Sequence, residues 1–344
     1  MNRYMNMAFE MARMTVGQTG KNPAVGAVIV KAGKVIGMGA HLGYGKPHAE
    51  RQALASCNES PQGADIYVTL EPCSHYGKTP PCTEAIIEAG ISRVFYASKD
   101  LNPKVSGHKV LLDAGVQVAH TPDTAIDRFY APFFRHLESG RPNVTLKCAV
   151  SLDGKLALDD GTSTWITGEA ARTDVHYERH LHDAILVGGG TLMHDDPKLT
   201  ARIEGGGDSP VPVILLGREK LSDGQKILDH PKRPIIYTAN EANLKYDETC
   251  DVRVGEWTLD AILADLYAEG ISSLFVEGGA TVLTSFIKQQ LYDRILLYVA
   301  PKIFGESRHA LYKEQISSME EIVQLELIDV EKLGSDLKLT YGKA

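Results

Sequence analysis

Apolar positions along this chain follow two rhythms, one repeating near 3.6 residues and one running almost without interruption. Residues 2–16 place Tyr4, Met7, Ala8, Met11 and Met14 at helical spacing, which predicts an amphipathic helix. The apolar run 24–30 follows the turn Lys21-Asn22-Pro23 and predicts a strand. Residues 34–38 are expected to pair with it across Ala32-Gly33. A helix is predicted over 48–57 after the breaker Pro47, then a strand over 64–70 and a helix over 82–89 opened by Pro80-Pro81. A strand over 93–97, a helix over 107–114 and a strand over 116–119 complete an alternation that predicts an α/β layered domain.

A helical pattern over 121–141 ends in Ser139-Gly140-Arg141-Pro142, read as a domain boundary between residues 1–142 and 143–344. Beyond it a strand is expected from Asn143 into the turn Ser151-Leu152-Asp153-Gly154-Lys155, with a helix over 170–182. The runs 184–187, 213–216, 235–237, 274–276 and 295–299 are so apolar that they predict strands buried on both faces, as in a mostly parallel sheet. Helices over 259–269 and 281–290 fit between them.

Composition changes this picture little. The 344 residues are 43% hydrophobic and 23% charged, ordinary for a globular protein of about two domains. No apolar run approaches the roughly 18 residues of a membrane span. The charged N-terminal helix argues against a signal peptide. Five cysteines are an odd count and not a disulfide framework, so a cytoplasmic setting is expected. The net charge of −8 divides into +3 over residues 1–143 and −11 over the remainder. Neither part has a basic run that would track a phosphate backbone, so nucleic acid is not the expected partner.

Chemistry concentrates in residues 48–82. His48, Cys73 and Cys82 can hold a zinc ion and leave a fourth position for water, the catalytic rather than the structural arrangement. Glu50, two residues after the histidine, is placed for proton transfer. His-x-Glu followed by Pro-Cys-x-x-Cys is the signature of zinc deaminases, with the glutamate as acid/base. Here Pro72-Cys73 is separated from Cys82 by eight residues instead of two. Both ends of the motif are expected at helix N-termini, where the helix dipole favours a thiolate. The plain alternative is a capping histidine beside buried cysteines.

The insertion Ser74-His75-Tyr76-Gly77-Lys78-Thr79-Pro80 explains the departure. With its flanks it matches P-C-x-H-x-G-[KR]-T-P-P-C and resembles the bifunctional deaminase/reductase family of riboflavin biosynthesis. Asn22-Pro23-x-Val25-Gly26 and His41-x3-Gly45-x2-His48-Ala49-Glu50 extend the resemblance. It implies an N-terminal three-layer cytidine-deaminase-like domain acting on 2,5-diamino-6-(5-phosphoribosylamino)pyrimidin-4(3H)-one. By position, it implies Glu50 as the catalytic residue and His48, Cys73 and Cys82 as zinc ligands. Asn22, His41, Ala49 and His75 would read the pyrimidine or its ribose. Lys78, Asp100 and Asn102 would hold the phosphate end.

The second part has no G-x-G-x-x-G after a strand, so a Rossmann fingerprint is absent. Two glycine-rich strand ends remain, Val187-Gly188-Gly189-Gly190-Thr191 and Val276-Glu277-Gly278-Gly279-Ala280-Thr281. Such ends can bind phosphate at a helix N-terminus or serve only as turns. Lys147-x-Ala149-x-Ser151-Leu152-Asp153-Gly154, Ser163-x-Trp165-Ile166-Thr167 and Gly190-Thr191-x3-Asp195-Asp196-Pro197-x-Leu199-Thr200-x-Arg202 resemble the reductase of the same family. The resemblance implies a dihydrofolate-reductase-like α/β domain that uses NADPH to convert ribosyl to ribityl. Carried over by position, the cofactor contacts are Ala149, Trp165, Thr191, Asp195, Gly279, Ala280, Thr281, Val282, Leu283, Thr284 and Ser285. Substrate contacts are Ser163, Arg179, Leu199, Arg202 and Glu277. Lys147 is a further candidate to face the substrate. A small phosphorylated pyrimidine is the expected partner, with no membrane, and a homo-oligomer is expected.

Two other readings stand beside this one. The first is a nucleoside or tRNA zinc deaminase with an unrelated second domain. The second is a non-catalytic zinc- and nucleotide-binding scaffold, in which His75 would be the fourth ligand and Glu50 dispensable.

Overall fold

The computed structural model describes residues 2–343 apart from 17, 20–21, 44, 78, 103–104, 159–165 and 307–309, and only the backbone of 136–137. Among the described residues no helix is long and apolar enough to cross a membrane. Two compact units divide at Ser139 and Gly140.

The first unit opens with α1 (Arg3–Met14), capped by the Asn2 side chain, which accepts from the Tyr4 N–H. Its buried face is Met5, Ala8, Phe9 and Ala12, whereas Met7 and Met14 of the expected stripe are exposed. The reason lies in β1 (Gly26–Lys31): a Cβ on Gly26 would stand 1.9 Å from the Ala8 carbonyl oxygen. The helix backbone therefore rests directly on the strand, and its small residues face inward. β1 and β2 (Lys34–Ala40) form the expected antiparallel hairpin. Ala32 and Gly33 both take positive φ, as a tight hairpin turn requires.

The sheet is completed by β3 (Asp65–Leu70), β4 (Arg93–Ser98) and β5 (Gln117–His120) in the order β2-β1-β3-β4-β5, with the last three parallel. The helices α2 (Ala49–Ala55), α3 (Cys82–Glu88), α4 (Gly107–Asp113) and α5 (Thr124–Ser139) connect or follow these strands. Loops at the carboxyl ends of parallel strands are where α/β sheets place ligands. β3 ends immediately before Glu71-Pro72-Cys73.

The second unit holds a nine-stranded sheet. Its strands are β6 (Asn143–Val150), β7 (Ala184–Gly188), β8 (Val211–Gly217), β9 (Ile235–Thr238), β10 (Asp251–Val254), β11 (Ser273–Val276), β12 (Arg294–Val299), β13 (Leu325–Leu333) and β14 (Asp336–Lys343). The order is β10-β9-β8-β7-β11-β6-β12-β14-β13, parallel through β12 and antiparallel at the last two. All five residues of β7 are buried, as a strand covered on both faces should be. The helices are α6 (Glu169–Leu181), α7 (Gly189–Asp195), α8 (Leu259–Ala268) and α9 (Ala280–Lys288).

Two elements differ from the sequence pattern. α7 occupies what reads as a glycine-rich strand end. Its first residue lies against β8, where a Cβ on Gly189 would come 3.2 Å from the Leu216 carbonyl oxygen. The hairpin β13–β14 is not among the expected elements, and β13 is exposed along nearly its whole length despite its apolar Leu327, Ile328 and Val330. Backbone pairing to β14, and of β14 to β12, holds it in place.

Candidate functional site

In the first unit the ligand atoms of His48, Cys73 and Cys82 all lie within 4.8 Å of one another, and among the described residues this is the group able to hold a metal. His75 is not part of it. His48 stands at the N-cap of α2 but its side chain makes no capping bond, so the plain structural explanation for this histidine fails. Its Nδ1 faces Cys73 Sγ at 3.5 Å and Cys82 Sγ at 3.4 Å. Its Nε2 lies 3.3 Å from the Thr79 hydroxyl. A partner at Nε2 fixes the ring and leaves Nδ1 for a metal, the usual support of a ligating imidazole. The donor set of two sulfurs and one imidazole nitrogen suits zinc.

The two thiols are unequal. A hydrogen bond from Cys82 draws Cys73 down to about 4 against its burial, with help from His48 and the Cys82 backbone N–H. Cys82 is pushed well up by the same contact with Cys73 and by burial. The thiol on the first turn of α3 is thus not the lowered one. Its backbone N–H acts on the neighbour instead, donating to Cys73 Sγ at 3.3 Å.

Glu50, on the first turn of α2, is 3% exposed. Burial is the main force raising its carboxyl, with the Cys73 charge adding to it. A carboxyl moved up from its usual range is suited to accept and return a proton near neutral pH.

The flanking residues form a connected set. His41 is buried, and its Nδ1 donates to the Pro47 carbonyl at 3.2 Å. Its Nε2 therefore accepts from the Asn22 amide at 3.1 Å. Burial keeps this ring neutral, and it stands edge-on to His48 with centroids 5.1 Å apart. Ala49 is fully buried at the start of α2. Asp100 is raised by burial, against the opposing pull of the Asn102 N–H. It accepts from the Asn102 N–H at 2.8 Å. His75 Nδ1 is buried with no hydrogen-bond partner, an acceptor or donor left open beside this group. Lys78 lies outside the described residues.

In the second unit the residues of the expected substrate site meet around Glu277. Arg179 Nε and Nη2 reach its two carboxylate oxygens at 2.6 and 3.1 Å, and Lys147 Nζ lies 3.7 Å away. Burial would raise Glu277, but Arg179 and Lys147 overrule it and hold the carboxyl at about 2. Thr200 ties the arginines together: its carbonyl accepts from Arg179 at 3.1 Å and its hydroxyl from Arg202 at 2.9 Å. Leu199 is buried at positive φ, the bend that brings Thr200 in.

His176 was not visible as a site residue in the sequence. It sits one turn before Arg179 on α6, and burial followed by the charges of Arg179 and Arg202 lowers it to about 4. Thr79 was likewise missed, although it falls within the motif. Its role depends on a fold contact across 31 residues.

The expected cofactor residues cluster at the carboxyl ends of β7 and β11. Thr191 Oγ1 would lie 3.6 Å from a Cβ on Gly279, so the two glycine-rich ends are neighbours in space. Gly188 and Gly278 both pack against Val282, with a Cβ at 2.8 and 2.5 Å respectively. Ala280, Leu283 and Thr284 are buried, and the Thr284 hydroxyl accepts from the Lys313 N–H. Any contact from Ala280 or Leu283 to a ligand would therefore come through backbone. Asp195 ends α7, and Ala149 lies on β6. Ser163 and Trp165 lie outside the described residues. The Asp153-Gly154 turn is more than local, because Asp153 accepts from the N–H groups of Phe304 and Gly305 at 3.0 and 2.8 Å.

Comparison with known proteins agrees with this geometry. Residues 1–98 match the cytidine and deoxycytidylate deaminase zinc-binding region, and residues 142–339 match the RibD C-terminal domain. A riboflavin biosynthesis protein RibD from Bacillus amyloliquefaciens is 41% identical over 98% of this chain and 95% of its own. RibD from Acinetobacter baumannii superposes with a TM-score of 0.93 at 34% identity, covering 99% of this chain and 98% of that one. A diaminohydroxyphosphoribosylaminopyrimidine deaminase/5-amino-6-(5-phosphoribosylamino)uracil reductase from Thermotoga maritima gives 0.91 at 34% identity, with 99% and 98% covered. With a zinc-binding deaminase region in one unit and a reductase in the other, this chain belongs to the family of bifunctional deaminase/reductases of riboflavin biosynthesis.

Proposed function

We propose that residues 1–142 deaminate 2,5-diamino-6-(5-phosphoribosylamino)pyrimidin-4(3H)-one and that residues 143–344 reduce the product's ribosyl chain with NADPH, giving 5-amino-6-(5-phosphoribitylamino)uracil. The observation that carries the first half is the His48, Cys73 and Cys82 group with buried Glu50 beside it. These three residues would hold zinc, which supplies a Lewis acid that makes water nucleophilic at neutral pH. Glu50 takes one proton from the attacking water and gives it to the ring nitrogen as the C–O bond forms; it then carries the second proton, from the new hydroxyl, to the amine, whose C–N bond breaks to release ammonia. Asn22 and neutral His41 stand as a fixed pair beside the ring site, with His75 offering its open Nδ1. Asp100, Asn102 and Lys78 are assigned to the ribose phosphate end.

The cluster around Glu277 supports the second half. NADPH would supply a hydride to C1 of the ring-opened sugar, seated against Ala149, Trp165, Thr191, Asp195 and residues 279–285 at the start of α9. Arg179 already spends its fork on Glu277, so it positions that carboxylate for the sugar hydroxyls. Arg202, bound only to a neutral hydroxyl among the described residues, is the better grip for phosphate. Ser163 and Leu199 complete this substrate set.

A cytoplasmic setting fits the five free cysteines. A homo-oligomer fits the exposed apolar Leu327, Ile328 and Val330 of β13, and light scattering on the purified chain tests it. The activity test supplies the diaminopyrimidine phosphate with NADPH and follows ammonia and NADPH absorbance separately. Absence of ammonia release would sink the deaminase assignment, and stable NADPH absorbance with the deaminated product would sink the reductase one.

A further inference from the structure

We propose that Arg51 is a positioning residue of the metal site, bridging α2 to the Pro80 and Pro81 carbonyls so that Cys82 stands where it can share a metal with His48. This rests on the zinc reading above and extends it to a side chain that the deaminase signature does not specify. Arg51 Nε donates to the Pro80 carbonyl at 3.3 Å, and Nη2 donates to the Pro81 carbonyl at 2.9 Å. These are the two residues immediately before Cys82.

The three ligands come from three separate elements. His48 stands at the N-cap of α2, Cys73 follows the end of β3, and Cys82 is the first residue of α3. Main chain ties the two cysteines together. The Cys82 N–H donates to Cys73 Sγ at 3.3 Å, and the Thr83 N–H donates to the Cys73 carbonyl at 3.2 Å. The edge from His48 to Cys82 is built differently. Among the described residues no main-chain hydrogen bond joins α2 to α3, so side chains hold that edge. Besides ligand His48 and the acid/base Glu50, α2 contributes Arg51 to it.

The long spacing makes this tie matter. Two residues between the cysteines would fix them through the chain itself, whereas eight leave more freedom to be lost on closing the loop. The Tyr76 hydroxyl donates to the Glu84 carboxylate at 2.7 Å, which fastens the loop to α3 but not to α2. Thr79 does reach α2, yet it meets the ring of His48 and not a thiol. Arg51 instead acts on the thiol side. Proline fixes φ, and Pro81 sits at −55°, so holding the Pro80 and Pro81 carbonyls fixes the entry to α3. Pro81 and Cys82 are buried, and the half-buried Arg51 reaches them from outside. A planar guanidinium sets the direction of two neighbouring acceptors, which a single ammonium does not. A site arranged before the metal arrives loses less freedom on binding it.

The test compares the full-length wild type with Arg51→Met, which keeps an unbranched stem without the fork, and Arg51→Lys, which keeps the charge. Zinc affinity is measured by chelator competition, and Co²⁺ bound in place of zinc reports its thiolate ligands through the charge-transfer band. Arg51→Met is expected to weaken zinc about tenfold, the size of a lost supporting contact, and to diminish the band as Cys82 leaves the metal. Arg51→Lys should recover only part of both. The KM for the diaminopyrimidine phosphate at saturating zinc should match the wild type. Wild-type zinc affinity and an unchanged cobalt band in a folded Arg51→Met would leave Arg51 a merely structural residue and overturn the proposal. Full recovery in Arg51→Lys would make the charge and not the fork responsible, which also overturns it, as does a raised KM at saturating zinc. Should Arg51→Met not fold, Arg51→Lys carries the test, and wild-type affinity in it is the overturning result. A wild-type chain that binds no zinc would overturn the zinc reading itself, and this role with it.

Discussion

Arg179 and Glu277 form a two-pronged ion pair, with nitrogen–oxygen distances of 2.6 and 3.1 Å, although 98 residues separate them in sequence. The pair locks the last turns of α6 to the end of β11. Both side chains are largely buried, at 13% and 12% exposed.

Removing one partner of such a pair leaves the other charge uncompensated. Glu277→Gln is therefore expected to destabilise the second unit by about 3 kcal/mol, read by chemical denaturation. The folded carboxyl sits at about 2, below its unfolded value of 4.5. Its contribution is present in full above pH 4.5 and is lost as pH falls through the folded value. The stability gap between wild type and Glu277→Gln should thus narrow below pH 4.5 and close near pH 2. A gap that stays constant down to pH 2 would contradict the pairing.

Glu50→Gln keeps the shape of the side chain and removes its proton transfer. Ammonia release should fall by about 10²-fold or more, while bound zinc, counted by atomic absorption, remains at the wild-type level. NADPH oxidation with the deaminated substrate should persist. Retained ammonia release would show that another group moves the proton.

Thr79→Val tests the partner of His48 Nε2, which lies 3.3 Å away. Zinc affinity, measured by chelator competition, should drop about 10-fold, and Thr79→Ser should restore it. If neither variant shifts the affinity, Thr79 does not orient the ligand.

Thiol reactivity should follow the environment of each cysteine. In metal-free protein near pH 6, Cys73 should alkylate first, because Cys82 and His48 hold it near 4. Cys148 and Cys250, pushed up by burial to about 12 and 11, should react last or only on unfolding. Added zinc should protect Cys73. Peptide mapping by mass spectrometry distinguishes these outcomes, and early labelling of Cys148 would contradict them.

Much of this protein is determined by local sequence. The hairpin turn at Ala32-Gly33 needs positive φ at two adjacent residues, and the runs at 184–187 and 274–276 are too apolar to face water. The zinc ligands and Glu50 are legible because metal chemistry restricts both residue type and order. Contacts over long separations are decided only in three dimensions. The inward face of α1 follows from the close approach of Gly26, not from the methionine spacing. The helix Gly189–Asp195 forms despite poor intrinsic propensity because it packs on β8. The unequal thiols of Cys73 and Cys82 and the lowered His176 each depend on neighbours brought in by the fold. Sequence specifies which groups are available. Burial and charge at their final positions set what each of them can do.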